Sequence, residues 1–231
     1  MGSAFGSVLS AGCVAFTLAA TLPSAVRAAP ADTTLLDEIN FARTHPQDYA
    51  RRLELQPVSD WERALGEPAD TAAFAEAVAF LERQPPLPPL SPDDALEAAA
   101  REHVEAQGPA GEIGHDGPGG EPFDLRLRRH GVEGVMEGEN IAYGPMRAAD
   151  VVRELIIDSG VPDRGHRRNI FHPAFANAGA TCGPHRDYGV MCVVDFAGGS
   201  PARAARPAPA HCDDPRDSPQ NRVSDAVIAR W

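Results

Sequence analysis

GENIAYGPMRAADVVRELIIDSGVPDRGHRRNI, residues 138–170, is the stretch on which the fold of this chain turns. At about 3.6 residues per helical turn, Val151, Val152, Leu155 and Ile156 line one apolar face of a helix over 148–158, with Asp158 at its border and Glu154 farther round. Two polar, glycine-marked segments flank that helix, Gly138-Glu139-Asn140 before it and Gly165-His166-Arg167-Arg168-Asn169 after it. Burying a carboxylate without a partner is expensive. Asp158 therefore meets an imidazole, a metal or a wet cavity, or else it turns from the helix end toward water.

Upstream, residues 108–120 are too rich in glycine and proline for regular structure, and this loop presents Gly114-His115. Before it, Ser91-Pro92-Asp93-Asp94 predicts a helix start, with Ser91 as cap and Pro92 in the first turn. The helix over 95–107 then places Leu96, Ala100, His103 and Gln107 on one face, where His103 reads as a hydrogen-bonded core residue. Residues 33–55 and 70–83 carry further helical patterns, the first interrupted at Pro46 and the second stopped by Pro85-Pro86-Leu87-Pro88-Pro89. Downstream, 177–181 and 189–196 read as two strands joined by turn residues at 184–187. A hairpin centred near Asp187 sets Cys182 opposite Cys192, at a separation that a disulfide spans, and leaves Cys212 free or available to link two chains.

The chain has 231 residues, 43% of them hydrophobic, which suits one well-buried domain. Its net charge of −12 comes from 33 acids against 21 bases, all of them arginine, and argues against nucleic acid as a partner. Residues 8–22 are mostly apolar and are followed by the small residues Ala25, Ala28 and Ala29, so residues 1–28 read as a secretory signal peptide. No basic residue precedes the apolar run, and a retained N-terminal anchor is the rival reading. The run is shorter than the roughly 20 apolar residues of a membrane span, so the mature form is expected to lack a stable transmembrane domain. The domain itself is expected over 31–200, with a Pro/Ala-rich linker and flexible tail over 201–231. Cysteine usage fits a secreted or extracytoplasmic protein.

The motifs taken in order carry a resemblance: Ile39-Asn40-Phe41-Ala42-Arg43, His103 in an Ala-rich helix, Gly114-His115, Gly138-Glu139-Asn140-Ile141, Gly165-His166-Arg167-Arg168-Asn169-Ile170 and Val193-Val194-Asp195-Phe196. Over residues 33–199 the chain resembles the CAP superfamily of cysteine-rich secretory, antigen 5 and pathogenesis-related 1 proteins, in the bacterial branch called SCP-like extracellular proteins. The resemblance implies an α+β fold, a three-layer α-β-α sandwich with a central antiparallel sheet. It also implies a cleft holding two histidines and two acids, here His115, Glu139, Asp158 and His166. Eukaryotic relatives often have glutamate after a tryptophan where this chain has Asp158 and Leu155, and Glu154 is the alternative acid.

Such a tetrad has two chemistries. His115 and His166 can hold zinc or another divalent metal while leaving a position open, or each carboxylate can simply orient an imidazole without metal. No organic cofactor is implied. Catalysis needs a nucleophile or activated water, and Ser159 is the only serine close in sequence to the tetrad. The favoured reading is a secreted module that binds a divalent metal and an unidentified extracellular ligand or partner. The alternatives are a metal- or tetrad-dependent hydrolase of peptide or cell-wall material and a lipid or sterol carrier. The carrier is disfavoured because the hairpin of Cys182 and Cys192 does not resemble the loop implicated in sterol binding among relatives.

Overall fold

The computed structural model describes residues 2, 31–66, 70–132, 136–144 and 147–199. The expected signal peptide apart from Gly2, the residues Cys13 and Cys212, and the 201–231 linker and tail lie outside the described residues. Local chemistry accounts for most element boundaries. Helix α1 (Ala31–Thr44) gives way to α2 (Pro46–Leu55) because Pro46 has no N–H to continue the ladder but is well suited to the first turn of a new helix. Ser59 opens α3 (Asp60–Leu65) with a reciprocal capping box: Glu62 N donates to the Ser59 hydroxyl at 3.0 Å and Ser59 N to the Glu62 carboxylate at 2.5 Å. Asp70 caps α4 (Thr71–Arg83) by accepting from Ala73 N at 3.0 Å.

The start of the next helix differs from the sequence expectation. Ser91–Pro92 form a short strand, β1, and Asp93 rather than Ser91 is the cap of α5 (Asp94–Ala110), accepting from Ala95 N at 2.9 Å and Leu96 N at 3.1 Å. Asp93 N donates to Ala178 O at 3.1 Å, so tertiary pairing keeps the preceding backbone extended. Helix α5 also runs past Gly108 and through Pro109, against the expectation of irregular chain from residue 108 onward. Its last turn is held from outside, since Gly108 abuts the Pro184 carbonyl and accepts from Arg186 N at 2.9 Å. The short helix α6 (Phe123–Arg129) follows, then β2 (Met136–Tyr143), α7 (Ala148–Ile157), α8 (Gly165–Ile170), β3 (Phe175–His185) and β4 (Gly189–Gly198).

The sheet order is β1-β3-β4-β2. The three long strands are antiparallel as expected, and only the two-residue β1 runs parallel to its neighbour β3, making the sheet mixed. Helices cover both faces, which gives the α-β-α sandwich. Ala178, Ala180, Cys192, Val194 and Phe196 turn toward α1, α4 and α7, in one core with Ile39, Leu81, Val152 and Ile156. Ile141, Tyr143, Met191 and Val193 turn the other way, toward Ala100 and Val104 of α5. This alternation is the period of two that a strand imposes. Helix α5 approaches β3 so closely that a Cβ on Gly179 would lie 2.0 Å from Glu97 N, a contact that only glycine avoids.

Two motif residues serve the fold. Asn40 clamps the Leu90 backbone, donating to its carbonyl at 2.9 Å and accepting from its N–H at 2.7 Å. The buried Arg43 donates to the carbonyls of Pro88, Ile170 and His172 at 3.1, 2.5 and 3.3 Å, which ties the proline run to the end of α8. The expected disulfide is present: Cys182 and Cys192 face each other across the β3–β4 ladder and are bonded, with Cα atoms 4.0 Å apart. No helix among the described residues is long and apolar enough to cross a membrane.

Candidate functional site

Two histidine–carboxylate pairs stand on the two sides of the edge strand β2. Strand alternation sends Glu139 toward the α5 face, where its Oε1 accepts from His115 Nδ1 at 2.6 Å. The other oxygen of Glu139 accepts from the guanidinium of Arg126, a fully buried residue of α6. Arg126 also donates to His103 Nδ1 at 2.9 Å and to the His115 carbonyl at 3.2 Å. His103 Nε2 lies 2.9 Å from the Gly114 carbonyl. A carbonyl only accepts and a guanidinium only donates, so the contacts of His103 define a neutral ring with its proton on Nε2. Burial, aided by the Arg126 charge and opposed by Glu139, holds the His103 pKa below the usual imidazole value. His103 is thus the structural residue expected from its place on α5, and it braces the loop that presents His115.

Burial alone would push the Glu139 carboxyl up. The hydrogen bond from His115 and the charge of Arg126 outweigh it, and Glu139 is held below the ordinary carboxylate range. Gly138 makes room for this strand: a Cβ there would come within 2.8 Å of the Phe175 ring. It is a point of close packing inside a strand.

The second pair is built at the end of α7. Asp158 is the C-cap, in the left-handed region at φ 58°, and only 2% of its surface is exposed. Its Oδ1 accepts from His166 Nδ1 at 2.7 Å, and its Oδ2 accepts from the backbone N–H groups of His166 and Arg167 at 2.9 and 3.2 Å. The side chain is thereby an anchor for the first turn of α8. Of the alternatives left open by sequence, pairing with an imidazole holds and turning toward water does not. Glu154, the other candidate acid, sits elsewhere, beside Trp61; burial, Glu62 and Asp150 raise its pKa to about 8.

Asn140 and Asn169 join the two pairs. Asn140 Nδ2 donates to the His166 carbonyl at 3.1 Å, and Asn169 Nδ2 donates to the Asn140 side-chain oxygen at 2.8 Å and to the Glu139 carbonyl at 3.3 Å. The Gly138-Glu139-Asn140 motif thus splits by alternation, its acid serving one imidazole and its amide gripping the helix that carries the other. Each imidazole commits Nδ1 to a carboxylate, and Nε2, itself buried in both rings, is the nitrogen turned away from the acid. The side chains of His115 and His166 are 12% and 7% exposed, and His166 Nε2 has no hydrogen-bond partner among the described residues. No group of three or more His, Cys, Asp or Glu side chains among the described residues is arranged to hold a metal ion. Ser159 is exposed and donates to Asp70 Oδ2 at 2.8 Å, away from both histidines' carboxylates.

Sequence reasoning missed two members of this neighbourhood. Arg126 lies in a helix that it did not predict, in the run Phe123-Asp124-Leu125-Arg126-Leu127; the apolar Phe123 and Leu127 at helical spacing were the available signal. Asp195 was read only as part of a closing motif. It faces Glu139 directly across the β2–β4 ladder and is 0% exposed. Its signal was a lone acid within Met191-Cys192-Val193-Val194-Asp195-Phe196, a run buried on both faces.

Residues 36–196 match the family described as CAP, the cysteine-rich secretory protein family. The chain is similar to the uncharacterized protein YkwD of Bacillus subtilis (strain 168), at 32% identity over 117 residues; the match covers 48% of this chain and 43% of that protein. The chain thus spans less than half the length of the curated relative it matches. Among solved structures it is similar to an extracellular protein containing a SCP domain from Bacillus anthracis str. Ames, at 21% identity and a TM-score of 0.42, over 56% of this chain and 40% of that one. It is also similar to an outer surface protein from Borrelia burgdorferi, at 23% identity and a TM-score of 0.43, over 49% of this chain and 80% of that one.

Proposed function

The chain belongs to the cysteine-rich secretory protein family, and from that premise we propose that it is an extracytoplasmic binding module that engages its ligand through the Nε2 atoms of His115 and His166. The observation that carries this reading is the pairing of each Nδ1 with a buried carboxylate, at 2.6 Å for Glu139 and 2.7 Å for Asp158. With Nδ1 held by the acid, Nε2 of each ring points away from it in a fixed direction. Work outside the cytoplasm is supported by the Cys182–Cys192 disulfide and by the leader-like composition of residues 1–28.

The ligand we propose is a divalent metal such as zinc, because each pair taken singly has the form of a metal-bound histidine, which commonly gives its second ring N–H to a carboxylate. The four carboxylate oxygens of Glu139 and Asp158 are already engaged, so the protein would offer two nitrogens and leave the remaining positions to water and ligand. The hydrolase reading is the weaker one, since the Ser159 hydroxyl donates to Asp70 and not to either imidazole. Calorimetric zinc titration at neutral pH tests the metal-binding reading. Saturable binding that disappears in the His115→Ala, His166→Ala double variant is expected; absence of binding in the unaltered protein overturns the metal, and binding unchanged in the variant places it elsewhere. Turnover of a peptide or glycan library that is lost in His166→Ala would overturn the non-catalytic reading.

A further inference from the structure

Among the described residues, Asp195 is the one buried carboxyl of the site region whose two oxygens both lack a hydrogen-bond donor. Cross-strand register sets it opposite Glu139. The two carboxyls lie within hydrogen-bonding reach of each other, yet neither oxygen of Asp195 meets a donor among the described residues. Two ionised carboxylates in such contact, both buried, would repel with nothing between them. One of the two must carry a proton. Glu139 is the ionised member, because its two oxygens accept from His115 and Arg126, and both of those are N–H donors. The proton therefore belongs to Asp195, whose O–H then has Glu139 as its acceptor.

We propose that Asp195 is a positioning residue of the site: a protonated carboxylic acid that donates to Glu139 and fixes the carboxylate that orients His115. The surroundings agree from every side. Glu139 and Glu137 approach from β2 and Arg126 from α6, His103 of α5 and His115 interact with Glu139 from behind, and β3 contributes only Gly179 opposite Asp195. Burial, reinforced by the Glu139 charge and opposed by Arg126, raises the Asp195 pKa well above its ordinary value. One negative charge shared by the two acids is then matched by one buried guanidinium. The arrangement also keeps Glu139 from swinging: its carboxylate receives the His115 ring, the Arg126 guanidinium and the Asp195 hydroxyl at once. The positioning role rests on the ligand-binding reading of His115 given above. The protonation state stands on the carboxyl geometry alone.

Carboxyl 13C NMR of the Asp- and Glu-labelled protein between pH 5 and pH 9, roughly the range in which such raised carboxyls are found, tests it. Asp195 is expected to resonate as a protonated acid at neutral pH, with Glu139 ionised; an ionised Asp195 at neutral pH overturns the proposal. Urea unfolding of the unaltered protein and of Asp195→Asn provides an independent reading. The native state should hold one proton that the unfolded state has released, so stability falls as pH rises above the unfolded carboxyl range, and Asp195→Asn should lose one proton's worth of that slope. Equal slopes overturn the proposal. For positioning, Asn keeps an N–H toward Glu139 and Val does not. The 15N pattern of the His115 ring should be retained in Asp195→Asn and displaced in Asp195→Val, and identical patterns in all three overturn that role. These measurements need no metal, so failure of zinc to bind removes the metal reading and leaves the outcome for Asp195 separately decided.

Discussion

Asp158 unites a helix cap, a helix start and an imidazole partner in one carboxylate. Its left-handed backbone at φ 58° ends α7, and its two oxygens accept from His166 Nδ1 and from the N–H groups of His166 and Arg167. Aspartate and asparagine tolerate that backbone region better than most residues, because their short polar side chains bond locally. A glutamate would have to fold its longer chain back to reach the same N–H groups. Asp158→Ala is expected to cost about 3 kcal/mol, from the strained alanine backbone and two buried N–H groups left without acceptors. Asp158→Asn should cost less than half as much, since the amide oxygen still accepts. Urea denaturation of both variants checks the difference, and similar losses would refute a capping role for the side chain.

At the scale of elements, the contact of α5 with β3 determines where His115 is presented. The helix lies on the strand at a distance set by Gly179, and its last turn is held to the hairpin through Gly108 and Arg186. The loop that follows is then pinned by His103 and by the Tyr143 hydroxyl, which accepts from Gly114 N at 3.0 Å. Gly179→Ala would place a methyl group against backbone atoms that have no rotamer to escape into. A loss of about 1–3 kcal/mol is expected in chemical denaturation, together with shifts of the His115 resonances although the substitution is remote from it in sequence. A neutral effect would mean that the helix can move away without disturbing the site.

Across the whole molecule, carboxyls with shifted pKa values pull stability in opposite directions with pH. Glu139 and Glu102 have lowered pKa values, Glu139 because His115 and Arg126 outweigh burial, and Glu102, at about 2, chiefly because Arg129 donates to it. Groups of this kind stabilise the fold above the unfolded pKa, and that stabilisation is lost as pH falls toward the folded value. Glu154 has the opposite sign. Burial first, then Glu62 and Asp150, raise it from 4.5 to about 8, so the native state keeps a proton that the unfolded chain has released, and stability declines as pH rises through that interval. Glu154→Gln should remove up to about 1.4 kcal/mol per pH unit of the decline. Parallel stability profiles for the variant and the unaltered protein would show that Glu154 titrates normally.

The sequence by itself determined the family, the α+β sandwich, the strand pair that carries the disulfide and the four polar residues His115, Glu139, Asp158 and His166, while the pairing of each histidine with its acid came from the structure. The strand pair follows from a period of 2 and turn residues, whereas the rest is what the resemblance carried by the ordered polar motifs implies. The tertiary structure alone decided the rest. Pairing of Asp93 N with β3 moved the helix cap from Ser91 to Asp93, and packing of Gly108 against the hairpin carried α5 through Pro109. Strand register brought Asp195 against Glu139, and helix α6 put Arg126 under the same carboxylate. In each case the deciding partner lies well away in sequence, and its contact exists only once the sheet has closed.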